Sequence, residues 1–389
     1  RLEYDWMPRG GLAEARDGRI QTHMSSFWIP SMANERFDAE VEIVTDLPAI
    51  TSGTREKTAD GWRFRTGVSA QIVPLVVGPF STHRRGDIEL FLPPGIECEP
   101  EEVLEDAERV LALLEEWFGP RPEKEFRIAF AHNPRPMPSY CGGNFILLSR
   151  PSTPSLLGRA RWISLFAHEC AHMWWGHHVG MPVIGQGGNW LREGIPQWVG
   201  ITAVEKLVGN DEARRRWRVH VAAYLATADL RRDDRGIFAN EATLLDSTYL
   251  DPPRVAYWRG ALVLRRLAYR LGREEFLRRL GVIQKERTQS TIEIEEFTRR
   301  MDAEADVAYY ARRTRLPDFA LDGRVIRCLD PAWPDGKVPV RVTTAGGVEV
   351  LDVDVKDGKG TLPARTGVES IEIDPERILL DPVLSNNRG

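Results

Sequence analysis

His168 and His172 stand four residues apart, with Glu169 directly after the first, in the run Leu165-Phe166-Ala167-His168-Glu169-Cys170-Ala171-His172-Met173-Trp174-Trp175-Gly176. On a helix, residues i and i+4 project from one face, one turn above the other, so two imidazoles can hold one metal ion. Glu169 then falls beside the metal rather than on it, where its carboxylate can accept a proton from an attacking water. This is the H-E-x-x-H arrangement, and its chemistry is metal-assisted hydrolysis. Trp162, Ile163, Leu165 and Phe166 make the helix apolar and therefore buried, and a buried helix does not carry His, Glu and His without partners.

A third ligand is required. Downstream, Asn189-Trp190-Leu191-Arg192-Glu193-Gly194-Ile195-Pro196-Gln197-Trp198-Val199 offers Glu193 in an otherwise helical, apolar setting. A second helix can bring this one carboxylate to the same ion. Two His and one Glu leave the fourth position of a tetrahedral Zn²⁺ open, as catalysis requires, whereas a structural zinc site is closed by four protein ligands.

These blocks resemble the thermolysin-like zinc aminopeptidases typified by aminopeptidase N. The resemblance rests on His168 to Gly176, on Trp190-Leu191-Arg192-Glu193-Gly194 (family form Trp-Leu-Asn-Glu-Gly) and on Tyr257-Trp258-Arg259-Gly260 (family form Tyr-x-Lys-Gly). It implies Zn²⁺ as cofactor, a peptide as substrate, His168, His172 and Glu193 as metal ligands, and Glu169 as general base. It also implies that Tyr257 donates a hydrogen bond to the oxyanion of the tetrahedral intermediate. The interval between His172 and Glu193 is slightly longer than the family habit, and the extra length is expected in the Gly-rich loop Gly185-Gln186-Gly187-Gly188.

A second departure bears on specificity. Family members carry Gly-x-Met-Glu-Asn on a strand lining the substrate cleft, and its Glu binds the free amino terminus of the peptide. The corresponding segment here is Tyr140-Cys141-Gly142-Gly143-Asn144-Phe145-Ile146-Leu147-Leu148, so Gly143 stands where that Glu would be. Gly142, Gly143 and Asn144 can still offer main-chain groups to an extended substrate. The amine anchor is missing, and another carboxylate, for example Glu241 or Asp246, would have to replace it.

The elements that must position these residues follow from periodicity. Residues 1–95 read as β, with strands over Gln21 to Trp28, Phe37 to Val44, Trp62 to Arg65, Ala70 to Val77 and Asp87 to Phe91 between Pro, Gly and Asp turns. They are similar to the second half of the family's amino-terminal β domain, which implies an upstream domain before residue 1. Pro93-Pro94-Gly95 marks a boundary. A helix is predicted over Pro100 to Phe118, closed by Gly119-Pro120, then a strand over Phe126 to Ala131, and a rigid Pro-rich loop from His132 to Pro138. His132, His177 and His178 lie outside the ligand pattern. Helices are predicted over Val199 to Leu207, Asp211 to Ala228, Pro253 to Leu271, Glu274 to Val282 and Ile292 to Met301. After Pro317 the chain turns to short strands, over Arg324 to Cys328, Val338 to Thr343, Gly347 to Val355, Gly360 to Pro363, Ser370 to Ile373 and Ile378 to Leu380.

The expected architecture is therefore α+β and multidomain: a partial amino-terminal β domain (1–95), a thermolysin-like α/β catalytic domain (96–316) and a small β-sandwich (317–389). A chain of 389 residues with 42% hydrophobic residues and a net charge of −5 is ordinary for a globular protein with a substantial core. Arg runs such as Arg214-Arg215-Arg216 are interleaved with Asp and Glu, which excludes a nucleic-acid partner in favour of solvated helix faces. Cys98, Cys141, Cys170 and Cys328 are widely spaced and form neither a disulfide framework nor a thiolate zinc site. No apolar run reaches the roughly 18 residues of a membrane span. The reading that results is a zinc metallopeptidase, aminopeptidase-like but with an altered or relaxed requirement for a free amino terminus. Its alternative is a metal-bearing binding or scaffold protein that keeps the fold without turnover.

Overall fold

The computed structural model describes residues 14–16, 19–22, 37–66, 73–132, 139–181, 189–227, 253–311, 316–383 and 385–388. The Gly185 to Gly188 loop, Glu241 and Asp246, most of the Gln21 to Trp28 strand and the Pro-rich loop after His132 fall outside them. The described residues form two compact units, one drawn from Arg1–Met181, Val199–Asn210 and Gly281–Thr291, the other from Pro182–Trp198, Asp211–Leu280 and Ile292–Gly389. The fold is α+β: strands first, helices in the middle, strands again at the end.

The first unit opens with short strands β1 (Glu14–Arg16), β2 (Arg19–Gln21), β3 (Glu40–Val44), β4 (Ala49–Thr51), β5 (Thr54–Lys57), β6 (Gly61–Arg65) and β7 (Leu75–Val77). They make two antiparallel sheets, in the orders β1-β2-β7-β4 and β3-β6-β5. A third sheet follows, built from β8 (Ser81–Arg85), β9 (Ile88–Leu92), β10 (Phe126–Phe130), β11 (Tyr140–Cys141) and β12 (Phe145–Leu148). Its order is β11-β12-β10-β9-β8, with β9, β10 and β12 parallel and the two outer strands antiparallel. Every residue of β10 and β12 is buried, as expected of central strands covered on both faces. The β8–β9 hairpin precedes Pro93-Pro94-Gly95, so the sheet draws on both sides of that turn. Ile50 and Val76 from the first strands share one core cluster with Phe91, Ala129, Tyr140, Phe145 and Leu147.

The segment Tyr140 to Leu148, which corresponds to the family's cleft strand, is a hairpin. Gly143 adopts φ +73°, and Gly142 N–H donates to the Phe145 carbonyl at 2.7 Å, so the chain reverses at Gly142-Gly143-Asn144. A left-handed backbone at Gly143 costs a glycine little and a β-carbon-bearing residue more. This makes β11 the edge of the sheet.

Helix α1 (Pro100–Phe118) matches its predicted span. Its buried stripe is Val103, Leu104, Ala107, Val110, Leu111, Leu114, Trp117 and Phe118, Pro100 sits in the first turn and Gly119 (φ +88°) ends it. After the short α2 (Pro154–Leu157), α3 (Arg159–Ala171) carries the His-Glu motif. Asp106 fixes where α3 begins: it is 1% exposed and accepts from Arg159 at 2.7 and 3.1 Å and from Trp162 Nε1 at 3.0 Å. A buried carboxylate with three donors is satisfied, and loss of any of them would leave charge stranded in the core.

Helix α4 (Asn189–Leu207) crosses α3 at backbone distance. A Cβ placed on Gly200 would fall 2.4 Å from the Ser164 carbonyl oxygen and 3.4 Å from His168 Cβ. Only a residue without a side chain permits that approach. Glu193 precedes Gly200 by seven residues, two helical turns, and so shares its face.

The second unit continues with α5 (Asn210–Thr227, of which Asn210 belongs to the first unit), a π-helical turn over Pro253–Arg259, α6 (Gly260–Leu271), α7 (Arg273–Glu286, whose last turns join the first unit) and α8 (Ile294–Arg300). The predicted uninterrupted α-helix over Pro253 to Leu271 thus begins as a π turn. Arg266 and Arg270 pair with buried Asp306 at 3.4 and 2.8 Å, tying α6 to the segment beyond α8. The chain ends in two three-stranded antiparallel sheets. One orders β13 (Phe319–Asp322), β14 (Val325–Cys328) and β17 (Lys359–Thr361); the other orders β16 (Gly347–Val355), β15 (Gly336–Thr344) and β18 (Val368–Ile373). The predicted strand over Ile378 to Leu380 does not form. Asp374 takes the amides of Ile378 and Leu379 on its carboxylate at 2.7 and 2.8 Å, which holds that stretch as a capped turn. Among the described residues no helix is long and apolar enough to cross a membrane.

The Gly200 crossing is testable. Gly200→Ala should lower stability by about 1–3 kcal/mol, because the atom it meets is backbone and cannot move aside. Gly346→Ala, whose Cβ would meet nothing closer than Thr344 Oγ1 at 3.6 Å, serves as the control. Urea denaturation midpoints of the two variants decide it; equal midpoints would remove the crossing as the constraint.

Candidate metal centre

The end of α3 sets the two imidazoles. Successive amides first tighten, with His172 N–H to Glu169 O, Met173 to Cys170 and Trp174 to Ala171, and then widen, with His177 to His172, Met173 O receiving His178, and Trp174 O receiving Val179. His172 keeps right-handed helical dihedrals at the cap (φ −60°, ψ −24°), so the i, i+4 geometry survives although the regular helix stops at Ala171. His172 Nδ1 lies 3.3 Å from the Trp175 carbonyl. A carbonyl only accepts, so Nδ1 bears the proton and Nε2 presents its lone pair. A ligand His oriented by a backbone carbonyl through its other nitrogen is the usual support of a metal site.

His172 Nε2 lies 3.2 Å from His168 Nε2, with the rings 4.9 Å apart and nearly perpendicular. Glu193, on the face of α4 fixed by Gly200, completes the group: one ligand atom from each of His168, His172 and Glu193 lies within 4.8 Å of the others. It is the one such cluster of His, Cys, Asp or Glu among the described residues. Two nitrogens each about 2.0–2.1 Å from a tetrahedral zinc stand about 3.3 Å apart. The observed separation and the nitrogen–nitrogen–oxygen donor set therefore fit Zn²⁺ with a position to spare.

Glu169 is 5% exposed and belongs to the same turn as His168 without joining the cluster. Its charge reaches two neighbouring thiols. Burial first, then the Glu169 carboxylate among nearby charges, pushes the thiols of Cys141 and Cys170 well above the ordinary cysteine range. Both are buried and, like Cys98 and Cys328, free of disulfides.

The hairpin after β11 lies against α3. His177 Nε2 donates to the Cys141 carbonyl at 2.9 Å, which joins the end of the motif segment to the edge strand. His178 instead meets Gln284 at 2.8 Å, and His132 bonds the Val77 carbonyl and packs on Phe80. Burial brings His132 down to about 4, so its ring is neutral at physiological pH. Asn144 is 3% exposed, and its amide is engaged by backbone: it accepts from Gly53 N–H at 2.8 Å and donates to the Glu125 carbonyl at 3.0 Å. Ser52 Oγ bonds the Gly142 carbonyl. Asn144 therefore acts by holding the turn in place.

Tyr257 sits in the π turn, half-buried. The turn is pinned at two points. A Cβ on Gly260 would fall 2.9 Å from the Trp190 carbonyl oxygen, and one on Gly194 would fall 2.9 Å from the Gly260 carbonyl carbon. The glycine after Glu193 and the glycine after Arg259 thus let two helices touch backbone to backbone. Arg259, fully buried, donates through Nε to the Tyr310 carbonyl at 2.8 Å. His220 lies beneath the turn, 3.2 Å from the Trp258 carbonyl, and burial brings it down to about 4 while the Trp258 and Tyr257 carbonyls favour its proton.

Sequence reasoning missed His220 and His177 as supports. Neither falls in a spaced motif, and each acts on backbone carbonyls of an element remote in sequence. The one available signal was the proximity of His177 to the motif. Trp198 and Trp217 are core residues, 2% and 6% exposed, with Trp198 edge-on to Phe276 at 4.9 Å and Arg265 over the Trp217 ring.

Comparison with known proteins finds likeness in both sequence and fold. Residues 142–313 match the family model described as the peptidase family M1 domain. Among solved structures, native yeast LTA4 hydrolase is similar over 72% of this chain and 47% of its own, with a TM-score of 0.59 and 19% sequence identity. The chain thus spans about half the length of that protein, and the likeness is one of fold. No curated protein matches the chain. The segment that matches the peptidase family M1 domain contains the His168, Glu169, His172, Glu193 and Tyr257 blocks in order.

Proposed function

We propose that this protein is a zinc-dependent peptidase of aminopeptidase-like type whose requirement for a free amino terminus is altered. The observation that carries the reading is the cluster of His168, His172 and Glu193, within 4.8 Å of one another, with the non-ligand carboxylate of Glu169 on the same turn of α3. Zinc held by these three residues would polarise the scissile carbonyl and bring the pKa of water toward about 7.

The chain's own groups supply the rest. Glu169, 5% exposed, takes the proton of the attacking water and returns it to the leaving amine. Tyr257 donates its phenolic hydrogen to the oxyanion as it develops, from a turn whose backbone is held by Gly194 and His220. The edge strand β11 and the turn Gly142-Gly143-Asn144 offer backbone to an extended peptide, whose N–H can donate to the lone pair of the Cys141 carbonyl that His177 leaves open. Gly143 carries no carboxylate of its own for the peptide amine. That is the basis for an altered terminus requirement.

His172→Ala should abolish stoichiometric zinc by elemental analysis of the purified protein, because two ligands do not hold the ion; full retention would reject the ligand set. Glu169→Gln should keep zinc and lose nearly all turnover of a peptide substrate. Tyr257→Phe should also keep zinc, with kcat lower by roughly 10²–10³, the usual effect of removing one oxyanion donor. An unchanged kcat for Tyr257→Phe would show that the phenol plays no part.

A further inference from the structure

The π turn that carries Tyr257 has a side-chain donor seated against its carbonyls. A π turn is rare beside an α-helix and arises where a proline interrupts the i→i−4 ladder or where another group inserts into it. Proline does not explain this one, because Pro253 is its first residue and none follows before Gly260. His220 of α5 does insert: it is 7% exposed, and its Nε2 lies 3.2 Å from the Trp258 carbonyl. The Tyr257 carbonyl is also near enough to favour the ring proton. A carbonyl only accepts, so Nε2 bears the hydrogen.

The imidazole has little freedom to point elsewhere. It follows Trp217 by three residues on the buried face of α5, and that ring stands edge-on to it at 5.9 Å and 90°. Trp258 flanks it from the π turn at 6.2 Å and 73°, and Arg265 of α6 covers Trp217 with its guanidinium 4.7 Å from the ring centre. Burial, helped by the charges of Arg216 and Arg265, keeps the imidazole neutral at physiological pH. The far end of the turn is fixed separately, by the backbone contact of Gly260 with Trp190 and Gly194. All of these residues belong to the second unit. Only the stretch before Gly260 is thus left to take its register from His220.

We propose that the Nε2 hydrogen bond of His220 holds residues 253–259 in the π register and thereby sets the direction of the Tyr257 phenol. Without that donor the Trp258 and Tyr257 carbonyls are free to rejoin an ordinary i→i−4 ladder. The turn then closes to an α-helix in phase with α6, and Tyr257 swings by about 100°, the angle of one residue. The buried stripe of α6 stays where Gly260 pins it. His220 is a positioning residue, acting on the proposed oxyanion donor through the backbone and touching no substrate. This deepens the peptidase reading and rests on it for what Tyr257 does.

Three substitutions separate the hydrogen bond from the ring. His220→Phe keeps a planar ring without a donor, His220→Gln brings an amide N–H to about the reach of Nε2, and His220→Asn carries the same amide on a shorter stem. Crystal structures of the zinc-loaded variants should show an α turn and a rotated Tyr257 in His220→Phe and His220→Asn, and both features unchanged in His220→Gln. Should His220→Phe not fold, the two amides still make the comparison. In peptide hydrolysis His220→Phe and His220→Asn should lose roughly 10²–10³ in kcat with KM and zinc content unchanged, as Tyr257→Phe does. Adding Tyr257→Phe to either should bring less than about a twofold further loss, because an interaction already absent cannot be removed again. A π turn that persists in His220→Phe or His220→Asn, a His220→Gln that behaves like His220→Asn, or losses that multiply in the double variants would overturn the proposal. If the three structures come out as expected but the unsubstituted zinc-loaded protein cleaves no peptide, the positioning role stands and the peptidase reading fails.

Discussion

The contact of Gly200 with the Ser164 carbonyl and His168 Cβ is the constraint on which the site depends. It brings two helices together at a distance that no side chain would allow, directly at a residue of the His pair, and so determines where the carboxylate two turns earlier on α4 comes to lie. Similar contacts continue outward. Gly194 meets Gly260 and so orients the π turn, while Asp106 fixes the start of α3 through Arg159 and Trp162. Backbone contacts of this kind have little slack compared with rotamer packing. A cluster built on them is preorganised by the fold, without relying on its side chains to find one another.

Much of this was legible in the sequence because it is periodic or punctuated. The His168 and His172 spacing, the span of α1 and the strand Gly347 to Val355 each follow from a repeat of 3.6 or 2 bounded by Gly or Pro, and the structure has them where that reasoning put them. What was not legible depends on backbone hydrogen bonding or on contacts between distant elements. Tyr140 to Leu148 corresponds to a cleft strand in the family it resembles, yet the positive φ at Gly143 folds it in two. Ile378 to Leu380 has the composition of a strand, but Asp374 captures its amides.

Cys141 and Cys170 are buried, and the charge of Glu169 adds to burial, so both effects favour the neutral thiol. A buried neutral thiol behaves as a small apolar residue, and the two serve the packing around α3 and β11.

The π turn at Pro253–Arg259 stores one residue more per turn than an α-helix would hold. Since each residue of an α-helix advances about 100° around the axis, a chain one residue shorter here could keep the buried face of α6 or the present direction of Tyr257, but not both. The phenol and the core-facing stripe of Leu262, Val263, Leu264 and Leu267 therefore run on separate angular phases within what looks, in sequence, like a single helix. That phase shift lets one continuous segment answer to two demands, packing after Gly260 and the proposed role of Tyr257 before it.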